Sequence, residues 1–196
     1  MPASMARAGL YWGSALLAGS ALGLGATALV LQGGSGASTV RAGAWETSLL
    51  AGSPDADPWT RAVVARKGLL ALVPEETLYY TAREDSAGRV LDGSCRYRLD
   101  GWDPGARWWS LTAYGADDYL IPNPDGRYSI SQSTIVRRPD HSWSLTVGPD
   151  AEGGNWLPVR AGEPFDLTLR LYNPETEVYA EPAGIALPVI TRESCR

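Results

Sequence analysis

The stretch that decides the fold begins with Arg107-Trp108-Trp109-Ser110-Leu111-Thr112-Ala113-Tyr114 and continues, after a short gap, with Leu120-Ile121-Pro122-Asn123-Pro124-Asp125-Gly126-Arg127-Tyr128-Ser129-Ile130. Apolar and polar residues alternate along the first run, which is the period of a β-strand with one buried face. Residues 122–126 are turn formers, because proline fixes φ while asparagine and glycine tolerate positive φ. The stretch therefore predicts antiparallel strands at 108–115 and 128–133, joined as a hairpin.

Short runs of the same kind lie on both sides of this hairpin. They predict further strands at 77–83, 95–101, 142–147 and 165–172, and the 22 glycines and 14 prolines fall mainly between them. One helix is predicted from Pro58, capped by Asp57, to about Leu72, because apolar residues recur at spacings of three and four. We therefore expect a mainly β fold, namely an antiparallel β-sandwich or jelly-roll-like domain with one amphipathic helix.

An uncharged apolar segment precedes the predicted domain. Residues 10–31 carry no charge, and a helix of that length rises about 33 Å, which matches the roughly 30 Å core of a bilayer. We predict a single transmembrane helix at 10–31, with residues 1–9 in the cytoplasm, a flexible linker at 32–41 and an extracytoplasmic β-rich domain at 42–196. The alternative interpretation is a cleaved signal peptide, cut near residues 35–37.

The two cysteines, Cys95 and Cys195, predict a disulfide bond. Such a pair suits an oxidising compartment better than a metal site, and the bond would tie down the C-terminal tail. The formal net charge is -5, and the basic residues are scattered along the chain. A nucleic-acid surface needs clustered Lys and Arg, so we expect no nucleic-acid partner.

The hairpin stretch also resembles a known family. Together with Gly153-Gly154-Asn155-Trp156-Leu157-Pro158 and the run from Pro164 to Pro174, in the same order, it resembles the domain of unknown function 1214 (DUF1214) family over residues 95–190. The resemblance implies a β-rich, sandwich-like domain of bacterial origin and implies no particular activity. Longer members carry another uncharacterised domain upstream, so this chain looks like a short, membrane-anchored variant. We therefore expect it in the bacterial inner membrane, single-pass, with its C-terminal domain in the periplasm.

Five residues in two of these stretches form the predicted ligand-binding site: Asn123, Arg127, Tyr128, Asn155 and Trp156. They combine amides, a guanidinium and flat rings, which are groups that hold a carboxylate or a sugar. The alternative is structural: the asparagines cap turns, the arginine pairs with an acidic neighbour and the rings fill the core.

Catalytic signatures are scarce. The only histidine is His141, and the sequence has no Gly-x-Ser-x-Gly elbow, so we expect no multi-histidine metal site, no cofactor and no catalytic residue. Carboxylates such as Asp117, Asp118 and Asp125 could form an acid/base pair if two of them converged across a cleft.

The leading hypothesis is therefore an uncharacterised envelope protein that binds a ligand or partner without catalysis, through the face carrying Trp108, Tyr114 and Arg127. One alternative is a carboxylate-dependent enzyme acting on envelope carbohydrate. A second is a structural or assembly protein, in which small residues at every fourth position from 15 to 27 bring two membrane helices together.

Overall fold

The structure is a computed structural model that describes residues 2–32, 39–66, 68, 70–150 and 153–196. The chain divides into two compact units, residues 1–36 and 37–196. The first contains helix α1 (Pro2–Gln32). Its segment Ala8–Leu29 has a mean hydropathy of 1.3 and is not buried, so this helix is long and apolar enough to cross a membrane. The central part of the predicted linker, residues 33–38, lies outside the described residues.

The second unit is mainly β. Its strands are β1 (Thr39–Ala42), β2 (Trp45–Ser48), β3 (Thr77–Ala82), β4 (Cys95–Gly101), β5 (Ala106–Gly115), β6 (Ser129–Ser131), β7 (Trp143–Gly148), β8 (Trp156–Pro158), β9 (Phe165–Pro174) and β10 (Val189–Cys195). Its helices are α2 (Pro58–Arg66) and α3 (Thr176–Ala180). One sheet has the strand order β1-β2-β3-β9-β5-β6 and the other β10-β4-β7-β8. Neighbouring strands are antiparallel except β7 and β8, which confirms the predicted mainly β fold and is consistent with a β-sandwich.

The two sheets share one apolar core. Alternate residues of β9, among them Leu167 and Leu169, are fully buried, and so are Leu99 of β4 and Leu145 of β7. This alternation follows from the two-residue period of a strand, which sends successive side chains to opposite faces. The core is therefore built from one face of each sheet.

The predicted hairpin is confirmed. Strand β6 pairs with β5, with Leu111 opposite Ile130, although β6 spans only Ser129–Ser131. The longer partner of β5 is β9, which pairs with it along almost its whole length and lies between β5 and β3. Two separate stretches that carried the family resemblance thus lie side by side in the middle of one sheet.

The helix and linker boundaries differ from the prediction. Helix α2 begins at Pro58 with Asp57 accepting the Thr60 amide at 2.9 Å, as predicted, but it ends at Arg66 rather than near Leu72. Gly68, at φ +62°, takes a left-handed conformation that favours glycine and is incompatible with continuing the helix. Residues 39–41, predicted as linker, belong to β1, where their backbone pairs with β2.

The predicted disulfide is also confirmed. Cys95 and Cys195 are bonded, 100 residues apart in sequence. They are opposite each other in the register of β4 and β10. The bond therefore holds the last strand against the edge of the smaller sheet.

Candidate functional site

The outer face of the six-stranded sheet carries two rows of polar side chains. Strands β3, β9 and β5 place them in register, and the rows are Tyr79, Arg170 and Ser110, then Thr81, Thr168 and Thr112. These positions alternate with buried core residues along the same strands, so all six side chains point away from the core. The result is a hydroxyl-rich face around one cation, in which Ser110, Thr112 and Thr168 are buried while Tyr79, Thr81 and Arg170 are partly exposed.

A groove of about 280 Å³ opens on this surface, and we call it the Arg170 groove. The sheet supplies Tyr79, Tyr114 and Arg170, while the segment between α2 and β3 contributes Leu70 and Leu72 along one side. The lining thus mixes aromatic rings, aliphatic side chains and a few fixed polar groups, which is the usual make-up of a small-molecule site.

Arg170 is held in a fixed position within the groove. Its Nη2 donates to the Tyr114 hydroxyl at 2.7 Å and its Nη1 to Thr112 Oγ1 at 3.3 Å. The guanidinium carbon lies 5.4 Å from the centre of the Tyr114 ring and 5.9 Å from that of Tyr79, which adds cation–π attraction on both sides. Two carboxylates, those of Asp118 and Asp166, line the same groove.

Tyr79 fastens the wall of the groove. Its hydroxyl donates to the backbone oxygen of Leu70 at 2.6 Å, which ties the α2–β3 segment to the sheet. Burial raises the pKa of Tyr79 above its ordinary value, so the hydroxyl stays protonated as a donor. This neutral ring leaves the positive charge of Arg170 uncompensated on that side.

The outer face of the four-stranded sheet has a different character. Its charged side chains pair with one another: Glu193 lies 3.1 Å from both Arg96 and Arg98, and Asp100 lies 3.5 Å from Arg98 and 3.7 Å from Arg138. In such a network the charged side chains pair with one another, so few charges remain for a ligand to pair with. The six-stranded sheet therefore provides the better candidate site.

Asn123, one of the predicted ligand-binding residues, closes the turn between β5 and β6. Its Oδ1 accepts the Arg127 amide at 3.0 Å, and its Nδ2 donates to the backbone oxygens of Arg127 at 3.0 Å and Ile121 at 3.1 Å. The side-chain amide is thereby engaged with the backbone on both its donor and its acceptor side, as the turn-capping alternative requires.

Asn155 is used in the same way. Its Oδ1 accepts the Val136 amide at 2.8 Å, and its Nδ2 donates to the backbone oxygens of Val136 at 2.7 Å and Ser144 at 2.9 Å. These bonds pin the loop at Val136 to strand β7.

The structure brings Arg127 and Trp156 together. Arg127 Nη1 donates to the backbone oxygen of Trp156 at 3.1 Å, and its guanidinium carbon lies 5.9 Å from the centre of the indole ring. The indole is buried and donates to the Gly148 oxygen at 3.1 Å, while Tyr128 is 38% exposed. The two loops therefore meet at Arg127 and Trp156, and ligand binding by the five residues stays a prediction.

The Arg170 groove was not among the sequence predictions. The residues Asp166, Thr168, Arg170 and Tyr172 occur at every second position of one strand, and this pattern marks them as one outward face. The pattern does not identify the strands on either side of β9. No signal within the strand itself shows that Tyr79 and Ser110 flank Arg170.

The fold and the groove define a mainly β, two-sheet protein, and the comparisons with known proteins agree with this class. The family described as Protein of unknown function (DUF1214) matches residues 76–176, more than half of the chain. This chain belongs to that family. The matched region includes Tyr79, Tyr114 and Arg170, so the groove is built mostly from the family domain.

Two solved structures are similar to this chain. The VPA0106 protein from Vibrio parahaemolyticus is 26% identical with a TM-score of 0.60, over 71% of this chain and 36% of that one. An uncharacterized protein from Burkholderia cenocepacia is 19% identical with a TM-score of 0.42, over 74% of this chain and 45% of that one. The chain thus spans less than half of each solved protein. No curated protein matches.

Proposed function

We propose that this chain is a non-catalytic binding module of the bacterial envelope. Helix α1 spans the inner membrane once, and the β-rich unit lies in the periplasm and binds a small ligand in the Arg170 groove. The observation that carries the proposal is the groove itself, in which a cationic side chain is held between two rings in an open cavity.

The size of the groove supports a small ligand. Its volume of about 280 Å³ is near the lower end of the roughly 300 to 1,000 Å³ that ligand sites span. Apart from Asp118, its polar groups stand on strands, so their positions are fixed before a ligand arrives. A site of this kind loses little conformational entropy on binding.

Three features support the location. Segment Ala8–Leu29 is long and apolar enough to cross a membrane. The Cys95–Cys195 disulfide is typical of an oxidising compartment such as the periplasm. The similar VPA0106 structure comes from Vibrio parahaemolyticus, which is a bacterium.

The experiment uses the full chain in detergent and a panel of neutral sugars, acidic sugars and small organic acids, with saturation-transfer NMR as the readout. Thr81→Tyr places a ring in the groove, and Thr146→Tyr places one on the outer face of the other sheet as a matched control. We expect compounds that bind the wild type and Thr146→Tyr but not Thr81→Tyr. Binding that survives Thr81→Tyr, or a panel without a binder, would refute a ligand role for the groove.

One observation favours a carboxylate-dependent enzyme as a second candidate. Asp118 and Asp166 line the same groove, and glycoside hydrolysis uses two carboxyl groups that face one cleft. The test is turnover of an envelope glycan by the wild type, Asp118→Asn and Asp166→Asn, with melting temperatures measured alongside. Turnover that either substitution abolishes without unfolding the protein would replace the non-catalytic proposal.

A further inference from the structure

Charged side chains of both signs line the Arg170 groove. Arg170 donates to Thr112 and Tyr114, and its guanidinium lies over the Tyr114 ring. In the register of β5 and β9, Tyr114 is opposite Asp166, so the guanidinium lies toward the row of that carboxylate. Asp118, in the loop that follows β5, supplies a second carboxylate. The groove therefore offers hydrogen-bond donors and acceptors together.

These groups have partners in the protein and still have capacity for more. A guanidinium carries five N–H donors, and a carboxylate offers about four lone-pair sites. Within the part of the chain that the structure describes, Arg170 donates to one oxygen of Thr112 and one of Tyr114. Asp118 and Asp166 also interact with other residues, and a carboxylate with a partner keeps lone pairs for a further donor. All three groups can therefore bind ligand hydroxyls without losing their present contacts.

This mixture of charges disfavours a charged ligand. An anion that approaches Arg170 also meets the carboxylates of Asp118 and Asp166, and a cation that approaches these carboxylates meets the guanidinium. In both cases repulsion offsets part of the attraction. A neutral hydroxyl is both a donor and an acceptor, so it can accept from the guanidinium or donate to a carboxylate without that repulsion.

Apolar surface lies beside these polar groups. Leu70 and Leu72 line one side of the groove, and Leu70 is 80% exposed. Tyr79 holds this segment in place, because its hydroxyl donates to the backbone oxygen of Leu70 at 2.6 Å. A molecule that covers the leucines removes apolar area from water, and the volume of about 280 Å³ favours a small one. The groove therefore suits a compact molecule with hydroxyls around a C–H framework.

We propose that the Arg170 groove recognises a neutral sugar, either as a monosaccharide or as the end unit of a glycan. The sugar hydroxyls accept from Arg170 and donate to Asp118 and Asp166. The C–H face of the sugar packs against Leu70 and Leu72. This inference rests on the proposed binding function and adds the chemical class of the ligand.

The test measures binding to the full chain by calorimetric titration, in a detergent without a sugar headgroup. The probes form two series: D-glucose, D-glucuronate and D-glucosamine, and D-galactose, D-galacturonate and D-galactosamine. At about pH 6 the three members of a series are neutral, anionic and cationic on nearly the same ring. In at least one series we expect the neutral sugar to bind at least about fivefold more tightly than both charged members, because only they are repelled by part of the lining.

Matched substitutions test the two kinds of charged group. Asp166→Asn and Arg170→Gln should each lower the affinity for the neutral sugar by about tenfold, because each removes a charge-assisted hydrogen bond to a hydroxyl. Asp100→Asn and Arg98→Gln make the same changes on the outer face of the other sheet and should leave this affinity unchanged. A site for acidic ligands would respond differently, because Asp166→Asn would then strengthen binding.

Several outcomes would overturn the inference. Tighter binding of the acid than of the neutral sugar in both series makes the groove an acid site, and tighter binding of the amine makes it a site for cations. In either case the proposed function stands if Thr81→Tyr abolishes that binding. If none of the six probes binds, the neutral-sugar class is wrong, and the proposed function then depends on the wider panel.

The position of the bound sugar is tested separately. Affinity for the neutral sugar that is unchanged in both Asp166→Asn and Arg170→Gln shows that the sugar binds outside the groove. Melting temperatures show whether these variants are folded. Asp118→Asn is the substitute if one is not, because asparagine tolerates the positive φ of 63° at this position. The comparison within each series uses the wild type alone and does not depend on any variant.

Discussion

At the scale of single residues, the polar side chains of this protein divide into those that serve the fold and those that face a groove. Asn123 and Asn155 have their amides bonded to the backbone, so sequence patterns that suggest a ligand site also fit a pair of structural caps. Arg170 has a different environment, since two hydroxyls and two rings hold its side chain at the lining of a groove. Bonding partners, rather than residue type, therefore distinguish the two roles.

Asn155→Ala tests the structural role of that amide. The substitution removes hydrogen bonds to Val136 and Ser144, and we expect it to lower the free energy of unfolding by about 2 kcal/mol because backbone groups lose their partners. Urea denaturation provides the measurement. A variant as stable as the wild type that no longer binds a ligand would instead support the predicted site at Asn155 and Trp156.

Asp85 gives a prediction about pH. It is 1% exposed; burial alone would raise its pKa, but hydrogen bonds from the Arg89 and Ala87 backbones and from the Arg89 side chain outweigh burial and hold the pKa below its ordinary value. Arg192 adds an ion pair at 3.4 Å. The stabilisation is therefore complete above the unfolded-state pKa of about 3.9 and is lost as the pH falls through the lower folded-state pKa.

We expect Asp85→Asn to cost about 2 kcal/mol of unfolding free energy at pH 7, because charge-assisted bonds are replaced by weaker ones. The difference between variant and wild type should shrink as the pH drops below about 4. Urea denaturation at several pH values measures this. A difference that stays constant down to pH 2 would show that the charge of Asp85 does not stabilise the fold.

At the scale of elements, strand β9 has two faces with different tasks. Leu167, Leu169 and Leu171 are fully buried in the core, while the residues between them face the groove. Because the faces alternate along one strand, packing on the inner face fixes the register that sets Arg170 opposite Tyr79. The core thus positions the site.

Leu169→Ala should lower the free energy of unfolding by about 3 kcal/mol, because it leaves a cavity at a fully buried position. Thr81→Ala, which removes a methyl and a hydroxyl from the groove side of β3, is the control and should cost less than about 1 kcal/mol. Equal effects of the two substitutions in urea denaturation would contradict the division of the sheet into a core face and a groove face.

The C-terminal end of helix α2 could not be located from the spacing of its apolar residues. Leu70 has the spacing of a core-facing helical residue, yet it is 80% exposed and lies beyond the helix end at Arg66. Gly68 has a left-handed backbone that cannot continue the helix, and Tyr79 holds Leu70 beside the groove. Because the helix ends at Arg66, Leu70 and Leu72 can form one side of the groove.

At the scale of the whole molecule, the first unit holds a helix long and apolar enough to cross a membrane, and a disulfide fastens the last strand of the second. The bond between Cys95 and Cys195 closes a loop with a sequence separation of 100 residues. A loop of about that length restrains the unfolded chain by up to roughly 4.7 kcal/mol in the chain-entropy treatment. The covalent link therefore stabilises the β-rich unit mainly by restricting its unfolded state.

The double substitution Cys95→Ser and Cys195→Ser should lower the free energy of unfolding by about 2 to 4.7 kcal/mol. Dithiothreitol should lower the stability of the wild type by a similar amount and leave the variant unchanged. Urea denaturation with and without the reductant provides the comparison. Equal stability of wild type and variant without reductant would show that the bond contributes nothing to the fold.

Retention in the membrane tests the N-terminal segment. With an uncleaved anchor we expect the intact 21.0 kDa chain in the membrane fraction after carbonate extraction, because the Ala8–Leu29 segment matches the thickness of a bilayer. Mass spectrometry of the recovered protein provides the measurement. A soluble product that begins near residue 38 would establish the signal-peptide alternative.

Much of the fold could be predicted because its signals are local. The alternation in β5, the turn closed by Asn123 and the capping of α2 by Asp57 each depend on residues a few positions apart. Strands β1 and β2 were not predicted, since they are only four residues long and gain their order by pairing with β3 and with each other.

The sequence by itself determined the mainly β class, the hairpin of β5 and β6, the disulfide and the family. The strand period and the turn residues are local signals, and the disulfide follows from the presence of only two cysteines. Only the tertiary structure decided that β9 lies between β3 and β5, and hence that Arg170 stands between Tyr79 and Tyr114. The physical reason is that strand order depends on the summed packing of core side chains contributed by segments far apart in the chain.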